Sequence, residues 1–91
     1  MNKALFLDRD GVINVDKGYI YKSDDLVFTN GIKKLIQLAK SKYYKVICIT
    51  NQSGIARGLF KENDLKNFMI YLNQELIDSI GSQLDAYYYC P

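Results

Sequence analysis

Ala4-Leu5-Phe6-Leu7-Asp8-Arg9-Asp10-Gly11 decides the architecture, because an unbroken apolar run ends in an acidic pair and a glycine. A second run, Val46-Ile47-Cys48-Ile49, ends in the same manner in Thr50-Asn51. Apolar runs without alternation predict strands covered on both faces, as in a parallel sheet. Residues 86–90, with three tyrosines, predict a third strand suited to a pleated surface.

Two helices are predicted between these strands. From Asn30 to about Lys42, Ile32, Leu35, Ile36 and Ala39 recur at helical spacing, with Asn30 as N-cap and Lys40 and Lys42 near the C-terminal end. From about Glu62 to Ile80, Leu65, Phe68, Met69, Leu72, Leu76 and Ile80 form one stripe that Gly81 stops. The order strand, helix, strand, helix, strand predicts an α/β fold. It is a Rossmann-like parallel sheet with flanking helices, in which two right-handed crossovers share a middle strand. Residues 10–27 and 51–61 are predicted irregular, and both follow the carboxyl ends of strands, where ligands bind in open α/β sheets.

A chain of 91 residues has room for one small domain. Hydrophobic residues at 48% and charged residues at 24% exclude a disordered or collagen-like chain. The balance of 12 basic to 10 acidic residues leaves +2, which offers no field for nucleic acid. No apolar run nears the roughly 18 residues of a membrane span. The N-terminus has no secretory pattern, so a cytoplasmic location is expected. Cys48 and Cys90 are too few for a disulfide framework, and the absence of histidine excludes imidazole-based triads within this chain.

At the end of the first strand, alternation puts the carboxylates of Asp8 and Asp10 on one side and turns Arg9 away. Two such carboxylates repel, so one keeps a proton or a cation sits between them, and oxygen ligands of this kind suit magnesium. A carboxylate can also attack phosphorus while its neighbour serves as acid and then base. Gly11 permits a sharp turn that brings backbone N–H groups towards an anion. The alternative is a polar strand end closed by an Asx-type turn. Thr50-Asn51-Gln52-Ser53-Gly54 adds hydroxyls, amides and N–H groups at the same edge, a neutral phosphate cradle beside the acidic pair.

Phe6-Leu7-Asp8-Arg9-Asp10-Gly11-Val12-Ile13-Asn14 and Ile49-Thr50-Asn51-Gln52-Ser53-Gly54-Ile55-Ala56-Arg57-Gly58 resemble the haloacid dehalogenase superfamily of phosphatases. The second motif, Val15-Asp16-Lys17-Gly18-Tyr19 and Tyr88-Tyr89-Cys90-Pro91 resemble its D-glycero-D-manno-heptose 1,7-bisphosphate 7-phosphatase branch, shared with histidinol-phosphate phosphatases. The resemblance implies that Asp8 is nucleophile and magnesium ligand, and that Asp10 is the general acid/base and also contributes to the metal. It places the transferring phosphoryl group on Thr50, with Asn51, Gln52 and Ser53 lining the pocket. Asp16, Lys17, Gly18 and Tyr19 belong to a loop that reads the sugar. Arg57 either reaches a substrate phosphate or points to water.

Cys90 corresponds to the first ligand of a structural zinc loop, and one thiol makes no tetrahedral site, so zinc is expected only in a longer chain. Cys48 is expected in the core. The family's later lysine and second acidic pair have no counterpart in these 91 residues. The expectation is therefore a single incomplete domain over residues 1–91, the first three strands of a haloacid dehalogenase-type fold. Its small-molecule partner is a phosphorylated sugar, with magnesium as cofactor and neither nucleic acid nor membrane as partner. Histidinol phosphate is the alternative substrate, and a non-catalytic binding module that self-associates through its uncovered half sheet is the alternative role. A phospho-receiver domain is disfavoured, because its acceptor aspartate would stand after the third strand, where Tyr87 to Cys90 lie.

Overall fold

The computed structural model describes residues 2–91. Strand β1 is Lys3–Asp8, helix α1 Ile32–Ser41, strand β2 Tyr44–Asn51, helix α2 Ser53–Ala56, helix α3 Glu62–Ile80 and strand β3 Ala86–Cys90. The strands form one parallel sheet in the order β1-β2-β3, with Asp8 opposite Ile49 and Asn51 opposite Cys90. The predicted order of strands and long helices is thus the observed one, with the short α2 added between β2 and α3.

Alternation along the strands shows which face is covered. Leu7 on β1 and Val46, Cys48 and Thr50 on β2 are buried. The three apolar ones pack with Ile32, Ile36 and Ala39 of α1 and with Leu65, Phe68, Met69, Leu72 and Leu76 of α3. Both long helices therefore lie on one face of the sheet. On the other face Phe6 is 61% exposed, Ile49 45% and Tyr88 59%. The expectation of strands covered on both faces is corrected here: each strand has an apolar outer row, but no described element packs over it.

Helix ends follow local chemistry. Helix α1 begins after Gly31, whose φ of +82° is left-handed, and the expected Asn30 cap is not formed. Leu35, expected on the buried stripe, is 41% exposed at the rim of the helix. Helix α3 starts where the Asp64 carboxylate accepts the Lys61 N–H at 2.8 Å. It ends at Gly81 with φ +73°, whose N–H reaches the Ile77 carbonyl at 2.9 Å. The two stretches expected to be irregular each hold a short ordered piece, a 3-10 turn at Ser23–Asp25 and the single-turn α2.

Asp85 staples the start of β3 to its neighbours. Its carboxylate accepts from Lys40 Nζ of α1 at 2.6 Å and from the Val46 N–H of β2 at 2.7 Å. Partial burial works against the charge, but the Lys40 and Val46 hydrogen bonds outweigh it and hold the carboxyl below its ordinary range. Cys48 lies in the core as expected, and burial pushes its thiol up to about 12.

Candidate active site

The parallel register brings the carboxyl ends of β1 and β2 to one edge of the sheet. After Asp8 the chain turns tightly around the Arg9 carbonyl, which accepts the N–H groups of Val12, Ile13 and Asn14 at 3.2, 2.8 and 3.1 Å. Gly11, at φ +89°, makes the turn possible and donates its N–H to the Asn14 carbonyl at 2.7 Å. These four N–H groups are satisfied within the turn. The N–H groups of residues 11–14 are therefore not the ones that an anion would meet here.

Asp10 is the hub of the edge. Its Oδ1 accepts from Arg9 Nε at 3.2 Å, Arg9 Nη2 at 2.9 Å and Asn14 Nδ2 at 3.1 Å. Its Oδ2 accepts from Gln52 Nε2 at 3.1 Å, and that same nitrogen donates to Thr50 Oγ1 at 2.8 Å. A carboxylate beside it fixes the orientation of the Gln52 amide, because only the NH₂ end can face an acceptor. Thr50 thus receives a hydrogen bond, which leaves its own hydroxyl proton for another acceptor.

A cavity of ≈ 270 Å³ opens beside this network, lined by Asp10, Asp16, Gly18, Tyr19, Asn51, Gln52 and Ser53. Six of these come from the two stretches that follow β1 and β2, and Asn51 closes β2 itself. The loop wall is shaped locally, since the Asp16 carboxylate accepts the Gly18 N–H at 2.9 Å in an Asx turn. Tyr19 follows at φ +39°, an unusual conformation for a residue with a side chain. Its ring and that of Phe60 crowd Gly54 so closely that an added Cβ would sit 2.9 Å from Tyr19 Cδ1 and 2.3 Å from Phe60 Cε1.

The other expected site residues are placed differently. Asp8 is exposed and lines an adjoining depression with Phe6, Leu7, Ile49 and Asn51, so Asn51 is common to both hollows. Thr50 points to the helix-covered face and is 3% exposed, reaching the cavity only through Gln52. Lys17 and Arg57 are exposed and line neither hollow, with Arg57 closing α2. Cys90 is an exposed free thiol at the end of β3. Among the described residues no group of three His, Cys, Asp or Glu side chains could hold a metal ion unaided.

Arg9 is the residue that sequence reasoning missed. It does not turn away from Asp10 but bends back to pair with it, while remaining 0% exposed. The signal was present: the alternation that half-buries Leu5 and buries Leu7 puts position 9 on the same, helix-covered face. A cation in that register needs an anion within reach. Asn14, also fully buried, was not singled out either: it lies in the turn beyond β1, where no period marks it.

The carboxylate, amide and hydroxyl oxygens at this edge are hard donors, with neither thiol nor imidazole among them. They fit a small divalent cation that takes one or two carboxylates and completes its shell with water and phosphate oxygens.

No family model matches the chain. Among curated proteins, a D-glycero-β-D-manno-heptose-1,7-bisphosphate 7-phosphatase of Helicobacter pylori is 49% identical over 89 residues, which is 98% of this chain and 51% of the relative. A D-glycero-α-D-manno-heptose-1,7-bisphosphate 7-phosphatase of Campylobacter jejuni is 46% identical over 89 residues, with the same shares. Among solved structures, the D,D-heptose 1,7-bisphosphate phosphatase of B. bronchiseptica, complexed with magnesium and phosphate, superposes with a TM-score of 0.87 at 34% identity. The match covers 98% of this chain and 50% of that one. A HAD-like phosphatase of Mesorhizobium loti gives 0.91 at 35% identity, over 98% of this chain and 42% of that one. The chain spans about half the length of the curated relatives it matches.

Proposed function

The chain belongs with the haloacid dehalogenase-like phosphatases, whose heptose-bisphosphate members it matches over 98% of its own length, and from that premise we propose that it carries the nucleophilic half of a phosphomonoesterase site. The observation that carries this reading is the hub at Asp10, where three side chains orient one carboxylate beside a polar cavity. The proposed substrate is a D-glycero-D-manno-heptose 1,7-bisphosphate, hydrolysed at position 7 in the cytoplasm.

Asp8 attacks the 7-phosphoryl group, so that a carboxylate O–P bond forms as the bond from phosphorus to the sugar oxygen breaks. Asp10 gives its proton to the departing alkoxide. It then takes a proton from the water that attacks the aspartyl phosphate, which releases phosphate and restores Asp8. Thr50, buried beneath Gln52, supports the site through that amide rather than by touching the phosphoryl group, and Asn51 and Ser53 line the phosphate's path. Tyr19 and the Asp16–Gly18 turn face the sugar, whereas Lys17 and Arg57 meet it only if their side chains swing inward.

Magnesium, held by Asp8 with help from Asp10, would supply charge neutralisation at the phosphoryl oxygens. A charge-balancing lysine and a second acidic pair are not among these 91 residues, so turnover by this chain alone should be slow. Zinc has no role within the chain itself, since Cys90 alone cannot form its site. The uncovered sheet face makes association with another chain the physical expectation.

A single-turnover assay with the protein in excess over heptose 1,7-bisphosphate and magnesium, followed by phosphorus NMR, tests the reading. Loss of the 7-phosphate signal at least about 100-fold faster in the wild type than in Asp8→Asn supports it. Equal rates in the two proteins, or faster hydrolysis of histidinol phosphate than of the heptose, overturn the assignment.

A further inference from the structure

Arg9 bonds one residue that lines the cavity, Asp10, and the backbone of Ile20, the chain neighbour of a second. Its Nη2 donates to the Ile20 carbonyl at 2.6 Å and to Asp10 Oδ1 at 2.9 Å, and Nε adds a second bond to the same carboxylate oxygen at 3.2 Å. The guanidinium lies over the Phe68 ring of α3, with Cζ 4.6 Å from the centroid, so the core packing fixes its plane. Ile20 directly follows Tyr19, the aromatic wall of the cavity.

From this geometry we infer that Arg9 is a positioning residue that locks the rotamer of Asp10 and the 16–20 loop to each other. The inference rests on the reading of Asp10 as the acid/base, but the contacts themselves do not depend on it. Stability alone would not call for this arrangement. Replacing a buried ion pair by an apolar side chain of similar volume is often neutral or stabilising, and Arg9 Nη1 has no hydrogen-bond partner among the described residues. Nη2 alone bridges the carboxylate and the carbonyl on two different segments, and the planar fork adds the Nε bond to the carboxylate and the face laid on Phe68, which a lysine ammonium on a flexible stem cannot supply together.

The test is NMR of the isotopically labelled chain and its variants, with no substrate present. In the wild type, three-bond couplings should report one Asp10 χ1 rotamer, and the Gly18 and Tyr19 amides should show order parameters near about 0.85. In Arg9→Met the couplings should average, and the loop order parameters should fall below about 0.6, while amide shifts along β2 and α3 stay in place. Arg9→Lys, which keeps the charge but not the fork, should behave as the methionine variant does, and it decides the matter if the methionine variant fails to fold. A folded Arg9→Lys or Arg9→Met with a single Asp10 rotamer and an ordered loop overturns the inference. Because no turnover is measured, this outcome is separable from failure of the phosphatase reading.

Discussion

Gln52 and Asp10 join the ends of two strands: Gln52 Nε2, after β2, donates to Asp10 Oδ2, after β1, at 3.1 Å. Gln52 is itself nearly buried, and its backbone N–H is fixed to the Cys90 carbonyl of β3 at 2.7 Å. One residue therefore ties all three strand ends together beneath the cavity. The candidate acid/base is thus tied to the sheet edge as well as to its own turn.

Gln52→Leu keeps the volume and removes the donor. Asp10 Oδ2 and Thr50 Oγ1 both lose a partner, which costs about 1–3 kcal/mol for a poorly hydrated acceptor. A urea melt should show a destabilisation of that size, and single-turnover hydrolysis should slow by about 10-fold or more. An unchanged melt would mean that water replaces the amide.

Gly54 and Gly11 should respond differently to alanine. At Gly54 a new Cβ meets Phe60 and Tyr19 side-chain carbons inside contact distance, so Gly54→Ala should cost about 1–3 kcal/mol and displace the Tyr19 wall. At Gly11 nothing lies within 4 Å, and only the φ of +89° opposes a side chain. That cost is of order 1 kcal/mol. Melts of the two variants should rank Gly54→Ala as the less stable.

Asp85 gives the fold a pH dependence. Its carboxyl is depressed in the folded chain, so its contribution is fully present above the unfolded value near about 3.9 and is lost as pH falls through the lower folded value. Stability of the wild type should therefore decline more steeply below about pH 4 than that of Asp85→Asn. Parallel acid unfolding curves for the two proteins would remove Asp85 from the account.

The outer sheet face should drive association. Sedimentation velocity should show concentration-dependent dimers that diminish in a Phe6→Ser/Ile49→Ser variant. Both side chains are exposed in the single chain, so the variant's melt at low concentration should change by less than about 1 kcal/mol. A monodisperse wild-type monomer at high concentration would contradict this.

The element order was legible because each element carries its own period: short apolar runs for β1 and β2, and the stripe from Leu65 to Leu76 for α3. Gly81 announced its stop chemically. The covered face was not legible, since apolar rows on both sides of a strand do not say what will pack on them. The start of α1 was misplaced because Asn30 has cap chemistry, while the turn geometry instead required a left-handed glycine. In the candidate site, motif positions named Asp10, Gln52, Asp16, Gly18 and Tyr19, and these line the cavity, whereas Lys17 does not. Arg9 was passed over, because a charge beside two aspartates looks like a solvated residue, although continuing the alternation of β1 puts it on the face that Phe68 covers.

Asp8 as the acceptor of a phosphoryl group is the step on which every other proposed role depends. Fluorine NMR of the chain with magnesium and beryllofluoride, a mimic of an acyl phosphate, measures this without requiring turnover. A bound resonance that needs magnesium, disappears in Asp8→Asn and persists in Asp10→Asn is the predicted result. The same bound resonance in Asp8→Asn would contradict it.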